Sequence, residues 1–210
     1  MSPGTPKKTD PAEALRQGAQ KLLERPLTDA EAVLFLKYLD LLTKWQKAQR
    51  LIGSSDPNWI VQNLFLDSLL FLKVLPKTVN NLMDLGSGAG VPGIPLKIVS
   101  PKLDIALVES RERRVSFLNS AVRELGIQGT RVVGGRAEDQ VAELGGRFDV
   151  VAMRCAGRPE ASLRLAARFV TPGGIVVASG PPTARPLSLG EWVTVPGPND
   201  IPRRFLLYRP

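Results

Sequence analysis

The sequence predicts an α/β fold: a mostly parallel seven-stranded sheet with helices on both faces, extended at its amino end by a group of helices. Three observations point there. From Asn81 onward, short apolar runs alternate with amphipathic stretches, the pattern of an open sheet covered on both sides. Before Asn81 the apolar residues fall at three-and-four spacing, which is helical. Where the two regimes meet, Asn81-Leu82-Met83-Asp84-Leu85 breaks into Gly86-Ser87-Gly88-Ala89-Gly90. Glycine lets a chain turn sharply off a strand and brings backbone close to a ligand.

Taken in order, residues 1–10 hold proline and charge without an apolar run and are expected to form a disordered tail. Residues 11–78 read as a helical cap. A first helix is expected over about Pro11 to Glu24. Thr28-Asp29-Ala30-Glu31 has the form of a capping box, and Leu34, Tyr38, Leu41, Leu42 and Trp45 follow at helical spacing, which predicts a long helix from Asp29 to Arg50. Its other side carries Lys37, Lys44 and Lys47, either a solvated face or a contact for RNA. A third helix is expected over about Asn58 to Val74, built on Trp59, Val61, Leu64, Phe65, Leu69 and Leu72.

Residues 79–210 carry the sheet. After the first strand at Asn81, the second is Leu103 to Val108, followed by a helix with Val115, Leu118, Val122 and Leu125 on one side. Thr130 to Val133, Phe148 to Ala152 and Ile175 to Ala178 supply three more strands, the last placed after a turn at Thr171-Pro172-Gly173-Gly174. Trp192 to Val195 and Phe205 to Tyr208 supply the final two, and the Pro/Gly-rich stretch from Gly180 to Leu187 reads as a loop.

Composition removes whole classes of chemistry. The 210 residues suit one medium domain with an extension. The single cysteine, Cys155, excludes an internal disulfide framework and a multi-cysteine zinc site. With no histidine, serine and cysteine triads, histidine general bases and most zinc hydrolase chemistry are also out. The 28 Lys and Arg against 20 Asp and Glu give a net charge of +8, which attracts a polyanion by steering and counterion release. Nucleic acid is the leading partner, a merely soluble basic surface the other reading. No run approaches the length of a membrane span and a lone cysteine fits a reducing compartment, so a soluble, cytoplasmic protein without a membrane partner is expected; a monomer is the expected state.

The glycine loop narrows the cofactor. A dinucleotide fingerprint places its third glycine three residues after the second, whereas Gly86, Gly88 and Gly90 alternate as G-x-G-x-G. Pro92 and Pro95 fall at the start of the next helix, where a missing amide donor costs nothing. Asp84 lies one residue before the end of the first strand, near the place of a methionine amino group. Glu109 ends the second strand, where a carboxylate can accept both ribose hydroxyls. Arg136-Ala137-Glu138-Asp139 follows the third strand and can contact an adenine edge, and Met153-Arg154-Cys155-Ala156 follows the fourth, on the side where substrate enters. The loop resembles the first motif of class I, Rossmann-like methyltransferases that use S-adenosyl-L-methionine.

A more specific resemblance covers about Thr28 to Gly180. Asp84 to Pro95 with its G-x-G-x-G-V-P-G-I-P run, Val108-Glu109-Ser110, Arg113 to Leu118, Gly135 to Glu138, Phe148 to Val151, Lys44 to Lys47 and Leu66-Asp67-Ser68 look like the bacterial glucose-inhibited division protein B family, which methylates guanine N7 in small-subunit ribosomal RNA. The resemblance implies cofactor contacts at Gly86, Val91, Ala137, Glu138 and Arg154. Asp84, Gly88 and Glu109 join them from the class I pattern. It implies 16S ribosomal RNA in the small subunit as substrate. Arg154, at the end of the fourth strand, is expected to act in catalysis by positioning either the cofactor carboxylate or the substrate. The other reading of Arg154 is a structural ion pair with Asp84 or Glu109.

The sequence departs from the family at Arg50-Leu51-Ile52, where Asn-Leu-Thr is usual, at Leu64, where a histidine is usual, and at Ala178-Ser179-Gly180-Pro181, which lacks the usual lysine. Guanine N7 carries a lone pair and no proton, so an in-line methyl transfer needs no general base and suits a chain without histidine. Cys155 has no activating neighbour in sequence and reads as a small packed residue. The target base must lie in a loop or be splayed out, with Arg111, Arg113, Arg114, Arg158 and Arg164 available to hold phosphates. At this level three functions stay open: the ribosomal RNA methyltransferase, a class I methyltransferase for another substrate, and a non-catalytic RNA- or nucleotide-binding module.

Overall fold

A computed structural model describes residues 10–154, 159–181, 187–198 and 201–210. The expected disordered tail falls almost wholly outside these residues, as do Cys155, Arg158 and most of the Gly180–Leu187 loop.

Helix α1 runs Pro11–Leu23, with the Asp10 side chain accepting from the Ala12 amide. Helix α2 runs Asp29–Gln49. Its capping box is formed on both sides: the Glu31 amide donates to Thr28 Oγ1 at 3.2 Å and the Thr28 amide to Glu31 Oε2 at 2.8 Å. Arg50, left-handed at φ 49°, ends it. The third expected helix is a composite: α3 (Pro57–Ile60), a π-helical turn over Val61–Leu66, α4 (Asp67–Leu69) and a 3₁₀ turn over Leu70–Lys73. Every residue from Leu64 to Phe71 is buried, so no single stripe meets the core. Changes of helical pitch let the run pack against α1 on one side and a later helix, α5 (Gly93–Val99), on the other.

The sheet comprises β1 (Asn81–Leu85), β2 (Asp104–Glu109), β3 (Thr130–Gly134), β4 (Phe148–Arg154), β5 (Val170–Ser179), β6 (Glu191–Val195) and β7 (Arg203–Tyr208). Its order is β3-β2-β1-β4-β5-β7-β6. The first five strands are parallel and β7 is antiparallel to both neighbours, the fold expected for a class I methyltransferase. One expectation changes: Thr171 to Gly174 does not precede the fifth strand but lies within it, where the register against β4 shifts between Phe148 and Val150. The extra residues are absorbed as an irregularity of a longer strand.

Strand side chains alternate between two cores. Leu82, Ile105, Leu107, Val150 and Val177 join α1, α2, the composite helix, α5 and α6 (Glu112–Leu125). Met83, Ala106, Val108, Val151 and Val176 join the other face, with Leu144 of α7 (Val141–Leu144) and Leu163 of α8 (Pro159–Ala167). The cap helices therefore share one continuous core with the sheet. Among the described residues, no helix is long and apolar enough to cross a membrane.

Candidate functional site

Chain order reverses between β1 and β4, so a crevice opens at the carboxyl ends of these strands. A cavity of about 340 Å³ lies there, lined by Leu85 and Gly86 after β1, Val108 and Ser110 at β2, Gly135 to Glu138 after β3, Met153 and Arg154 of β4, and Ser162 and Leu165 of α8. That volume is at the small end of the range for ligand sites.

The loop beneath it is built by local bonds. The Gly86 and Ser87 amides both donate to Val108 O, at 2.9 and 3.0 Å, which ties the turn to the end of β2. Ser87 Oγ donates to Asp84 O at 2.8 Å. From the cap, the Tyr38 hydroxyl donates to Ala89 O, and its ring stacks on Phe65 with centroids 5.0 Å apart. Burial of this phenol raises its pKa well above the usual range, so it stays a donor. Gly86 is left-handed at φ +75°, and a Cβ built there meets no atom within 4 Å. The turn demands glycine, and the space above it is free for a ligand.

Asp84 is completely buried. Its Oδ2 accepts from the Gly93 amide at 2.8 Å, while Oδ1 has no hydrogen-bond partner. Burial pushes its pKa up to about 7; the Gly93 bond and the charge of Arg154 work against that rise, and Glu109 adds to it. A carboxyl raised above its ordinary value favours the protonated form on folding, so the contribution is full below about pH 4 and is lost as pH rises toward 7. At about 1.4 kcal/mol per unit the loss is on the order of 4 kcal/mol. Asp84→Asn should therefore be progressively more stable than wild type between pH 4.5 and pH 8 in urea unfolding; a pH-independent difference would remove the assignment.

Of the residues expected at the site, Gly86, Ala137, Glu138 and Arg154 line the cavity together. Glu109 is held behind the loop: Oε2 accepts from the Gly88 amide and Oε1 from the Arg111 amide, both at 2.9 Å, with Arg114 Nη1 3.6 Å from Oε2. Gly88 and Asp84 lie in the same supporting layer, and Val91 is buried against the cap core. Arg154 pairs with neither Asp84 nor Glu109 but with Asp67 of α4: its Nη2 donates to Asp67 Oδ2 and to Asn63 O, each at 3.2 Å. The pairing crosses from cap to sheet, 87 positions apart in sequence, so no local pattern could disclose it. Ser162 and Leu165 were also beyond sequence reasoning, since the Glu160 and Arg164 pair of this short helix marks its polar side and not which of the others faces a cavity.

Arg136 lines the cavity and is exposed, and Arg111, Arg113 and Arg164 are exposed as well. Lys37 does not stand free on the α2 surface; it donates to Glu124 O of α6 and serves helix packing.

Comparison with known proteins adds a family and a fold. The family model for rRNA small subunit methyltransferase G matches residues 31–180. The chain is 37% identical over 143 residues to ribosomal RNA small subunit methyltransferase G of Lachnoclostridium phytofermentans, a stretch covering 67% of this chain and 59% of that protein. It is 36% identical over 147 residues to the protein of the same name from Desulforamulus reducens, covering 69% and 61%. The match thus spans about three-fifths of the length of these relatives. Among solved structures, a SAM-dependent methyltransferase from Aquifex aeolicus shares the fold with a TM-score of 0.54 at 16% identity, over 73% of this chain and 94% of that one.

Proposed function

Because the chain belongs to the rRNA small subunit methyltransferase G family, we propose that it transfers a methyl group from S-adenosylmethionine to N7 of a guanine in 16S ribosomal RNA. The observation that carries this reading is the cavity at the β1/β4 switch point, whose floor at Gly86 has open space where any other residue would place a Cβ. The described residues fit the cofactor. Gly86 leaves room beside the turn, Ala137 and Glu138 offer a backbone and a carboxylate to an adenosine edge, and Arg154 offers guanidinium donors to an anionic group. Val91 seats the loop on the cap core, and Asp84, Gly88 and Glu109 hold the loop and the start of α5 in place. Bound there, the cofactor supplies an electrophilic methyl group on a sulfonium.

The protein's own part is positional. Guanine N7 needs no base to accept a methyl group, so the chain has only to hold the nucleophile in line and keep water out, the proximity contribution. Exposed Arg111, Arg113, Arg136 and Arg164 supply charge for the phosphates of a splayed nucleotide. On this reading residues 11–78 act as a cap that braces a methyltransferase domain at 79–210, and the enzyme works as a cytoplasmic monomer where small subunits are found.

Incubation of small ribosomal subunits and of naked 16S RNA with methyl-labelled cofactor tests the reading. Label is expected in the RNA of at least one of the two, and label in neither rejects it.

A further inference from the structure

We propose that Asp67 is a positioning residue that fixes the Arg154 guanidinium at the mouth of the cavity. Its side chain is 9% exposed, and two cations converge on it from different strands of the sheet. Arg154, the last residue of β4, reaches Oδ2 through Nη2 at 3.2 Å; Arg203, the first residue of β7, brings Nε to 2.7 Å from Oδ1. Asn63 O, on the π-helical turn preceding α4, accepts from the same Nη2 of Arg154.

Three physical consequences follow from this arrangement. A free arginine side chain must give up about 2 kcal/mol of rotamer entropy to meet a ligand, and a buried carboxylate that already holds it removes much of that cost. Among the described residues, both hydrogen bonds of Arg154 use Nη2, which leaves its other N–H groups available to a ligand. One carboxylate facing two guanidinium groups leaves one positive charge in excess, which an anionic ligand group completes. Arg203 Nε faces the other oxygen as an ion pair without hydrogen-bond geometry, so it contributes charge there, and the directional bonds at this site are those of Arg154.

The inference rests on the proposed cofactor site for its effect on binding, while the geometry of Arg154 can be read without any ligand. Two measurements on the full chain test it together. In nitrogen-15 NMR of the arginine side chains, with the Arg154 signal assigned by its loss in Arg154→Gln, rotation about Cζ–Nε is expected to be slow in wild type and fast in Asp67→Asn. In calorimetry, Asp67→Asn is expected to weaken S-adenosylmethionine binding about tenfold, but less than about twofold when introduced into Arg154→Gln. Should Asp67→Asn not fold, Asp67→Glu keeps the charge and displaces it by one methylene, and the same pattern is expected at smaller amplitude. Fast rotation in wild type, or an equal loss of affinity in both backgrounds, overturns the proposal. An Arg154 that is rigid in wild type and freed in Asp67→Asn, in a protein that binds no S-adenosylmethionine, supports the role of Asp67 and refutes the cofactor reading.

Discussion

Replacing Gly86 with aspartate is expected to abolish S-adenosylmethionine binding while leaving the protein folded. A Cβ at this position meets no protein atom within 4 Å, so packing opposes the substitution only weakly. The backbone is left-handed at φ +75°, and holding a non-glycine residue there costs about 1–3 kcal/mol, which a domain of ordinary stability survives. The new carboxylate would instead occupy the cavity between Leu85 and Glu138. A loss of at least about a hundredfold in affinity, or about 2.7 kcal/mol, is expected by calorimetry, with the circular dichroism spectrum unchanged. Wild-type affinity in this variant would mean that the ligand lies elsewhere.

Gly93→Ala is expected to do the reverse, damaging the fold itself. Alanine for glycine in a helix ordinarily gains up to about 1 kcal/mol. Here the added Cβ would stand 2.4 Å from Leu107 Cδ2 and 2.9 Å from Asp84 Oδ2, and both neighbours are fully buried. Overpacking of this kind costs about 1–3 kcal/mol. Moving the backbone to relieve it would stretch the 2.8 Å bond from the Gly93 amide to Asp84 and expose a second penalty of about 1–3 kcal/mol for a buried group left unpaired. The packing terms exceed the propensity gain, so a net loss of about 2–4 kcal/mol is expected in urea unfolding. A variant as stable as wild type would show that α5 does not sit this close to β1 and β2.

These two glycines also mark what a sequence discloses and what it hides. Gly86 was legible because a run of apolar residues ending in alternating glycines has a local cause. The same holds for α2, whose capping box and spacing are written within a few positions, and for all seven strands, whose apolar runs stand apart from the helices between them. Gly93 looked like one more member of the loop motif, and its packing role depends on Leu107, which arrives from another strand. The composite helix from Pro57 to Lys73 was read as one regular helix because its apolar residues are too dense to show where the pitch changes. Phe35 was not among the expected core residues of α2, yet it is fully buried against Phe65, with ring centroids 5.4 Å apart. At the site, Gly86, Ala137 and Glu138 were named by the family resemblance, and they line the cavity. The partners of Arg154 and Glu109 were not legible, since they are set by where the cap and the glycine loop come to rest.

The atom that receives the methyl group defines the reaction. After reaction with S-adenosylmethionine, 16S RNA treated with borohydride and then aniline breaks wherever a guanine carries a methyl group on N7. Small subunits exposed to wild-type protein are predicted to yield one new break, at a guanine, that is missing with Gly86→Asp. Label entering the RNA without any such break would contradict N7 as the acceptor and with it the proposed reaction.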